Sequence, residues 1–349
     1  MQIDMHYYGV YTLARAAGLN VNTCKIIATA SEFVDDNIGH ENIDAKDKGH
    51  LHITASAHHS VNKSNLDNDD QRLVWVPFHF LPGNEGDSYE QKLQCVKDSS
   101  IAREMLEHHL GKSNKAYGPH LIGVAAHVYS DTFAHYGFSG ISSQVNYIDE
   151  DTIRFDSALP SDAMSYIKNK WTRFKTSFES DVAERLSNGL GHGAVHTYPD
   201  RPYLKWSFKY EDGRESGERS NPDTFLEACE KLHTFFIRFA QANTDYRERP
   251  PIQFSDMKDK IIDVLALTKP AENRIQAWKD LMASGRFFEP ETIPKYNANN
   301  WLDELNSVEN LSDSSGALKL DAFKFLQAIA IHRSYVLRDL LPEHDLLVR

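Results

Sequence analysis

Residues 123–140 read GVAAHVYSDTFAHYGFSG and place His127, Asp131 and His135 at four-residue spacing inside an otherwise apolar run. At about 100° per residue, positions i, i+4 and i+8 spread over roughly 80° of one helix face, so the three side chains can converge on one point. Val124, Ala125, Ala126, Val128, Phe133 and Ala134 are what a buried helix uses. Two imidazoles and a carboxylate left unpaired in a core would cost several kcal/mol, and a shared cation removes that cost. The alternative is two core histidines hydrogen-bonded to protein and one solvated aspartate, with no ion.

Upstream of this run, residues 4–18 read as a helix ended by a glycine and residues 22–37 as a second helix, the two forming a hairpin. The hairpin brings Asp4 or His6 at its start beside Asp35 or Asp36 at its finish. Carboxylates at a helix C-terminus oppose the helix dipole, and a metal would supply the compensation. Residues 40–70 are polar and aperiodic. Within and after them, HLHITASAHHS (50–60) alternates like a short strand, and RLVWVPFHF (72–80) is expected to pair with it. His58, His59 and His79 ride on these segments, and His79 stands among Pro77, Phe78 and Phe80, where a lone imidazole needs a partner.

Between that pair and the central run, helical patterning resumes near residue 88 and ends at His108-His109, read as surface histidines. His120 falls in the first turn of the central helix, where a structural role is at least as good a reading. Downstream, residues 161–188 pattern as a long amphipathic helix leading into GLGHGAVH, in which His192 and His196 are again four apart, among glycines. YLKWSFKY (203–210) reads as a strand entering a turn. From Pro222 onward the pattern is helical, broken by prolines, and His233 and His332 read as core residues. The expected architecture is mainly α, with a small β-hairpin excursion. The expected organisation is a helical metal-binding catalytic domain over 1–210 and a helical extension over 211–349, packed on or capping the site and available to a protein partner.

Composition narrows the function. A formal charge of −12 over 349 residues disfavours a duplex nucleic-acid surface. Seventeen histidines, concentrated in the first two hundred residues, exceed what surface chemistry needs. Three cysteines without CxxC spacing imply neither a disulfide framework nor a thiolate zinc site, and read as reduced buried thiols. No signal peptide or membrane-spanning run is legible, so a cytoplasmic protein, or one exported by a specialised secretion system, is expected.

Imidazole and carboxylate without thiolate suit Zn2+, Mn2+ or Fe2+, and more than four candidate ligands from distant segments suggest a polynuclear site. Such a site most naturally hydrolyses a phosphoester or phosphodiester with metal-activated water. The HxxxD at His127 and Asp131 with a further His, preceded by an N-terminal His and an Asp ending an early helix and followed by a pair at four-residue spacing, resembles the zinc-dependent phospholipase C and single-strand nuclease superfamily. The resemblance covers about residues 1–210. It implies a mainly α core and two or three zinc ions, with ligands in the order His6, Asp36, His79 or His59, His127, Asp131, His135, His192 and His196. It also implies Asp131 bridging two zincs and Asp36 as general base or extra ligand.

Three departures from that family's pattern are visible. His135 falls four rather than six residues after the Asp, the final pair is His-His rather than His-Glu, and Met1 precedes Gln2, so Asp4 is expected to take the place of the family's N-terminal amine. The implied substrate is a phospholipid head group, a nucleotide or single-stranded nucleic acid. Two other readings use the same ligands: a His/Asp-type di-iron phosphohydrolase or oxygenase, and a non-catalytic, metal-stabilised toxin or effector module.

Overall fold

The computed structural model describes residues 1–39, 41–58, 67–165, 167, 189–195, 197–268 and 270–348. The protein is mainly α-helical, with one two-stranded and one three-stranded antiparallel sheet among the described residues. Helix α1 begins as a wide π-type turn, Asp4–Gly9, and continues as Val10–Ala16. Helix α2, Val21–Asp36, is capped by Asn20, whose side chain accepts the Thr23 amide at 2.9 Å. Strands β1 (Asn42–Asp44) and β2 (His50–His52) pair with each other.

The expected pairing of residues 50–60 with 72–80 does not form. Asn68–Asp70, Gln71–Trp75 and Val76–Phe78 make one helical stack, α3. Pro77 sits in the first turn of its last segment. The amides of His79 and Phe80 both return to the Trp75 carbonyl, at 3.0 and 2.9 Å, closing the stack and turning His79 inward.

Helix α4, Ser100–Gly111, leads into the central helix α5, Gly118–His135, every residue of which is buried. Helix α5 packs on α2 and α4, and on two helices from the C-terminal part of the chain, α6 (Asn221–Ala242) and α7 (Asp321–Tyr335). One continuous hydrophobic core runs from Met1 to Val348 through all of these helices. Gly123 is the point of closest approach: a Cβ there would lie 2.4 Å from the Ile27 carbonyl oxygen and 2.6 Å from Ala30 Cβ, so glycine lets the backbones of α5 and α2 meet.

The stretch after α5 contains strand β3, Ile148–Phe155. It pairs with β4, Lys205–Tyr210, which pairs in turn with β5, Arg219–Ser220. A second, smaller core of Phe80, Phe138, Trp206 and Phe208 lies under this sheet. The helix expected over 161–188 falls almost entirely outside the described residues. Among the described residues, no helix is long and apolar enough to cross a membrane.

Candidate metal centre

Each helix or turn delivers a histidine whose outward nitrogen is already engaged. His127 Nδ1 donates to the Ser31 carbonyl at 2.8 Å, His79 Nε2 to the Ser56 carbonyl at 2.9 Å, and His135 Nδ1 to the His79 carbonyl at 2.8 Å. Carbonyls only accept, so these nitrogens carry protons, and in the neutral ring the opposite nitrogen presents a lone pair; at His79 burial opposes charge, but Asp131 and Asp35 raise the pKa. His6 Nδ1 lies 3.4 Å from Ser130 Oγ, whose own proton goes to the His127 carbonyl at 2.9 Å.

The free nitrogens point at one another and at Asp131. His127 Nε2 is 3.3 Å from His79 Nδ1 and 3.3 Å from Asp131 Oδ2, while His6 Nε2 is 3.1 Å from Asp131 Oδ1. The rings of His6 and His127 are stacked at 3.9 Å. His6 Nε2 is buried and has no hydrogen-bond partner. Lone pairs facing lone pairs and a carboxylate in a buried site repel, and a cation among them removes the repulsion.

Three groups among the described residues have the geometry to hold an ion: His6, His127 and Asp131; Asp35, His79 and His127; and His135, His192 and Asp200. The first two share His127, and the third, which shares no member with them, adjoins through His135 Nδ1, 3.6 Å from Asp131 Oδ2. Asp131 is the middle of this cluster: Oδ1 faces His6, and Oδ2 faces His127, His79 at 3.5 Å and His135 at 3.6 Å. Asp200 Oδ1 is 3.0 Å from His135 Nε2, and Asp200 Oδ2 is 3.8 Å from His192 Nε2. The buried α-amino group of Met1 lies 2.5 Å from Asp131 Oδ1 and 3.3 Å from Asp200 Oδ1.

The electrostatics follow this packing. Burial opposes charge on Asp131, yet His135, the Met1 ammonium, His127 and His6 outweigh it and hold the carboxyl well below the usual range. Burial pushes His6 down to about 3, assisted by His127 and the Met1 ammonium, so its ring is neutral and ligand-competent. Burial likewise opposes charge at Met1, but Asp131, Asp200 and Asp35 raise the amine to about 11. The most exposed side chains of the cluster are Asp35, at 37%, and His192, at 19%, which marks its open edge.

Of the residues singled out from the sequence, His6, His79, His127, Asp131, His135 and His192 are brought together. Asp4 is not: it forms a buried ion pair with Arg274 Nε, and the Met1 amine it was expected to replace is itself at the cluster. Asp36 is turned away and accepts the Tyr296 hydroxyl at 2.6 Å, because one residue along a helix rotates a side chain by about 100°. Asp35 takes the inward position, 3.7 Å from His79 Nδ1 and 3.8 Å from His127 Nε2. His59 and His196 lie outside the described residues.

Asp200 was missed. The signal was present, since 192, 196 and 200 continue the four-residue spacing, but the spacing was followed only as far as the second histidine. The carboxylate that the His-His pair lacked therefore comes from a loop after a single 3-10 turn, Gly193–Val195.

No curated protein and no solved structure matches the chain. One family model does, over residues 1–340, nearly the whole length. The chain belongs to that family, described as a family of unknown function, DUF6765.

Proposed function

We propose that the protein is a metal-dependent phosphoric ester hydrolase that holds two or three divalent ions, zinc by preference, in the cluster around Asp131. The observation that carries this reading is the outward turn of three ligand protons: His79, His127 and His135 give N–H groups to backbone carbonyls, which leaves their opposite nitrogens for the centre. A structural zinc would be closed by four ligands, often with cysteine, whereas here all three cysteines are free and buried elsewhere.

Neighbouring divalent ions lower the pKa of water toward neutrality and offset the charge of a phosphate ester. Asp131, with its two oxygens facing different histidines, is the shared carboxylate. Asp35, at the open edge, is placed to accept a proton from water arriving with the substrate, the role first read for Asp36. His192 and Asp200, with His135, form the third group. The order of these residues along the chain also supports the likeness to the zinc-dependent phospholipase C and nuclease superfamily.

The test is to strip the purified protein with a chelator, restore it with Zn2+, and assay phosphomonoesters and phosphodiesters, including a phospholipid and a single-stranded oligonucleotide. Hydrolysis should vanish with the chelator, return with Zn2+, and be absent in D131N. An activity indifferent to chelation overturns the reading, as does purification with iron and a visible absorption band.

A further inference from the structure

Three histidines outside the cluster form a chain of their own. His108 Nδ1 lies 3.1 Å from His109 Nδ1, His109 Nε2 lies 3.0 Å from His332 Nδ1, and His332 Nε2 lies 2.7 Å from the Pro77 carbonyl oxygen. His109 and His332 are wholly buried, although the sequence reads His108-His109 as a surface pair. His108 is half-buried and stacks flat on Tyr335, with ring centroids 3.5 Å apart and planes 4° apart.

The direction of the chain follows by elimination. A carbonyl only accepts, so His332 Nε2 carries a proton. Burial keeps that ring neutral, with its pKa pushed down to about 4, and burial with His332 and His108 beside it does the same to His109. His332 Nδ1 therefore accepts from His109 Nε2–H, and His109 Nδ1 lies beside His108 Nδ1. Burying the imidazoles of His109 and His332 where α4 meets α7 needs their nitrogens matched, a demand that leucine or phenylalanine would not make.

What the chain reaches explains why it is there. Helix α3 ends at Phe78, so the Pro77 carbonyl is among its last, without an amide four residues on. His332 supplies the missing donor and packs its ring against Phe78, at 5.2 Å between centroids. The next residue is His79. Its side chain is fixed by Ser56, its carbonyl by His135, and the backbone that delivers it by His332.

We propose that His332, backed by His109 and His108, is a positioning residue for His79, holding the end of α3 so that His79 Nδ1 faces Asp35 and His127. The inference rests on the metal reading above. It gives the C-terminal helix α7 a direct part in building the centre.

The experiment uses the full-length protein, Zn2+ titrated against a chromophoric chelator, and anomalous scattering at the zinc edge to locate each ion. In H332L the ion at Asp35, His79 and His127 should bind at least about ten-fold more weakly, as for lost outer partners of metal ligands. The ion at His135, His192 and Asp200 should remain. H332Q should restore binding, because its amide N–H reaches where Nε2 stood. H332N should not, because its amide stops at the Nδ1 position; it also replaces H332L if that variant does not fold. Equal loss at both groups, no loss, or H332Q as weak as H332L would overturn the proposal. A wild-type protein that binds no Zn2+ sinks the metal reading itself, which separates the two failures.

Discussion

Asp4 and Asp200 are both buried aspartates, yet their partners give them opposite roles. Asp200 faces the lone-pair side of His135 and the ring of His192, and it is the only carboxylate of that group. D200N keeps the shape but removes the charge that offsets a divalent ion. Metal content after dialysis should fall by one ion per chain, with affinity at that group down by about ten-fold or more, since a lost ligand costs no less than a lost outer partner. The group of His6, His127 and Asp131 should stay loaded; an unchanged metal count would remove Asp200 from the ligand set.

Asp4 instead sits against a guanidinium that is equally buried. R274M leaves its carboxylate in the core without a counter-charge and should cost about 3–5 kcal/mol by chemical denaturation, while the folded fraction keeps its full zinc content. The double variant D4N/R274M should recover much of that loss. Asp4 was misread from the sequence because a partner 270 residues away leaves no spacing to read. His127, Asp131 and His135 were legible because their register is local to one helix.

At the scale of elements, the centre depends on how closely α2 and α5 approach, because Asp35 comes from one and His127 from the other. Gly123 sets that distance, and in G123A the new methyl meets backbone rather than a flexible side-chain end. Overpacking of this kind costs about 1–3 kcal/mol, and the helices must separate by a fraction of an ångström to relieve it. The midpoint of thermal unfolding should drop, and zinc should weaken most at Asp35, His79 and His127; a variant with wild-type stability would show that the two backbones have room to spare.

The far end of α5 is held differently. Arg219 donates to the carbonyls of Tyr136 and Ala134, at 2.8 and 2.9 Å, and its guanidinium lies 3.6 Å over the Tyr136 ring. A positive charge at a helix C-terminus is favourable, and it steadies the turn after His135. The helices were legible from apolar spacing. RLVWVPFHF was not, because a short apolar run with a proline fits a strand or a buried helical stack equally well, and only the packing of α7 against it decides.

At the scale of the molecule, the ligands come from α1, α2, α3, α5 and the loop before β4, so an ion joins segments that the chain keeps far apart. The chain carries a formal charge of −12, and divalent cations at its centre relieve part of that repulsion as well as the local mismatch of lone pairs. An ion that binds only the folded state stabilises it by about 2.7 kcal/mol when free metal is 100-fold above its dissociation constant. Unfolding entropy of roughly 2 cal/mol/K per residue makes about 0.7 kcal/mol/K for a chain of this length. Each ion should therefore raise the unfolding midpoint by about 4 °C, and two ions by about 8 °C. Scanning calorimetry with chelator, and again after adding back Zn2+, measures this directly. Mg2+ should not substitute, because it prefers oxygen ligands and holds its waters, whereas the lone pairs here are on imidazole nitrogen. D131N, which removes a ligand of one group, should respond to chelator by about 4 °C less than the wild type. If the wild-type midpoint is indifferent to chelator, no ion joins these segments.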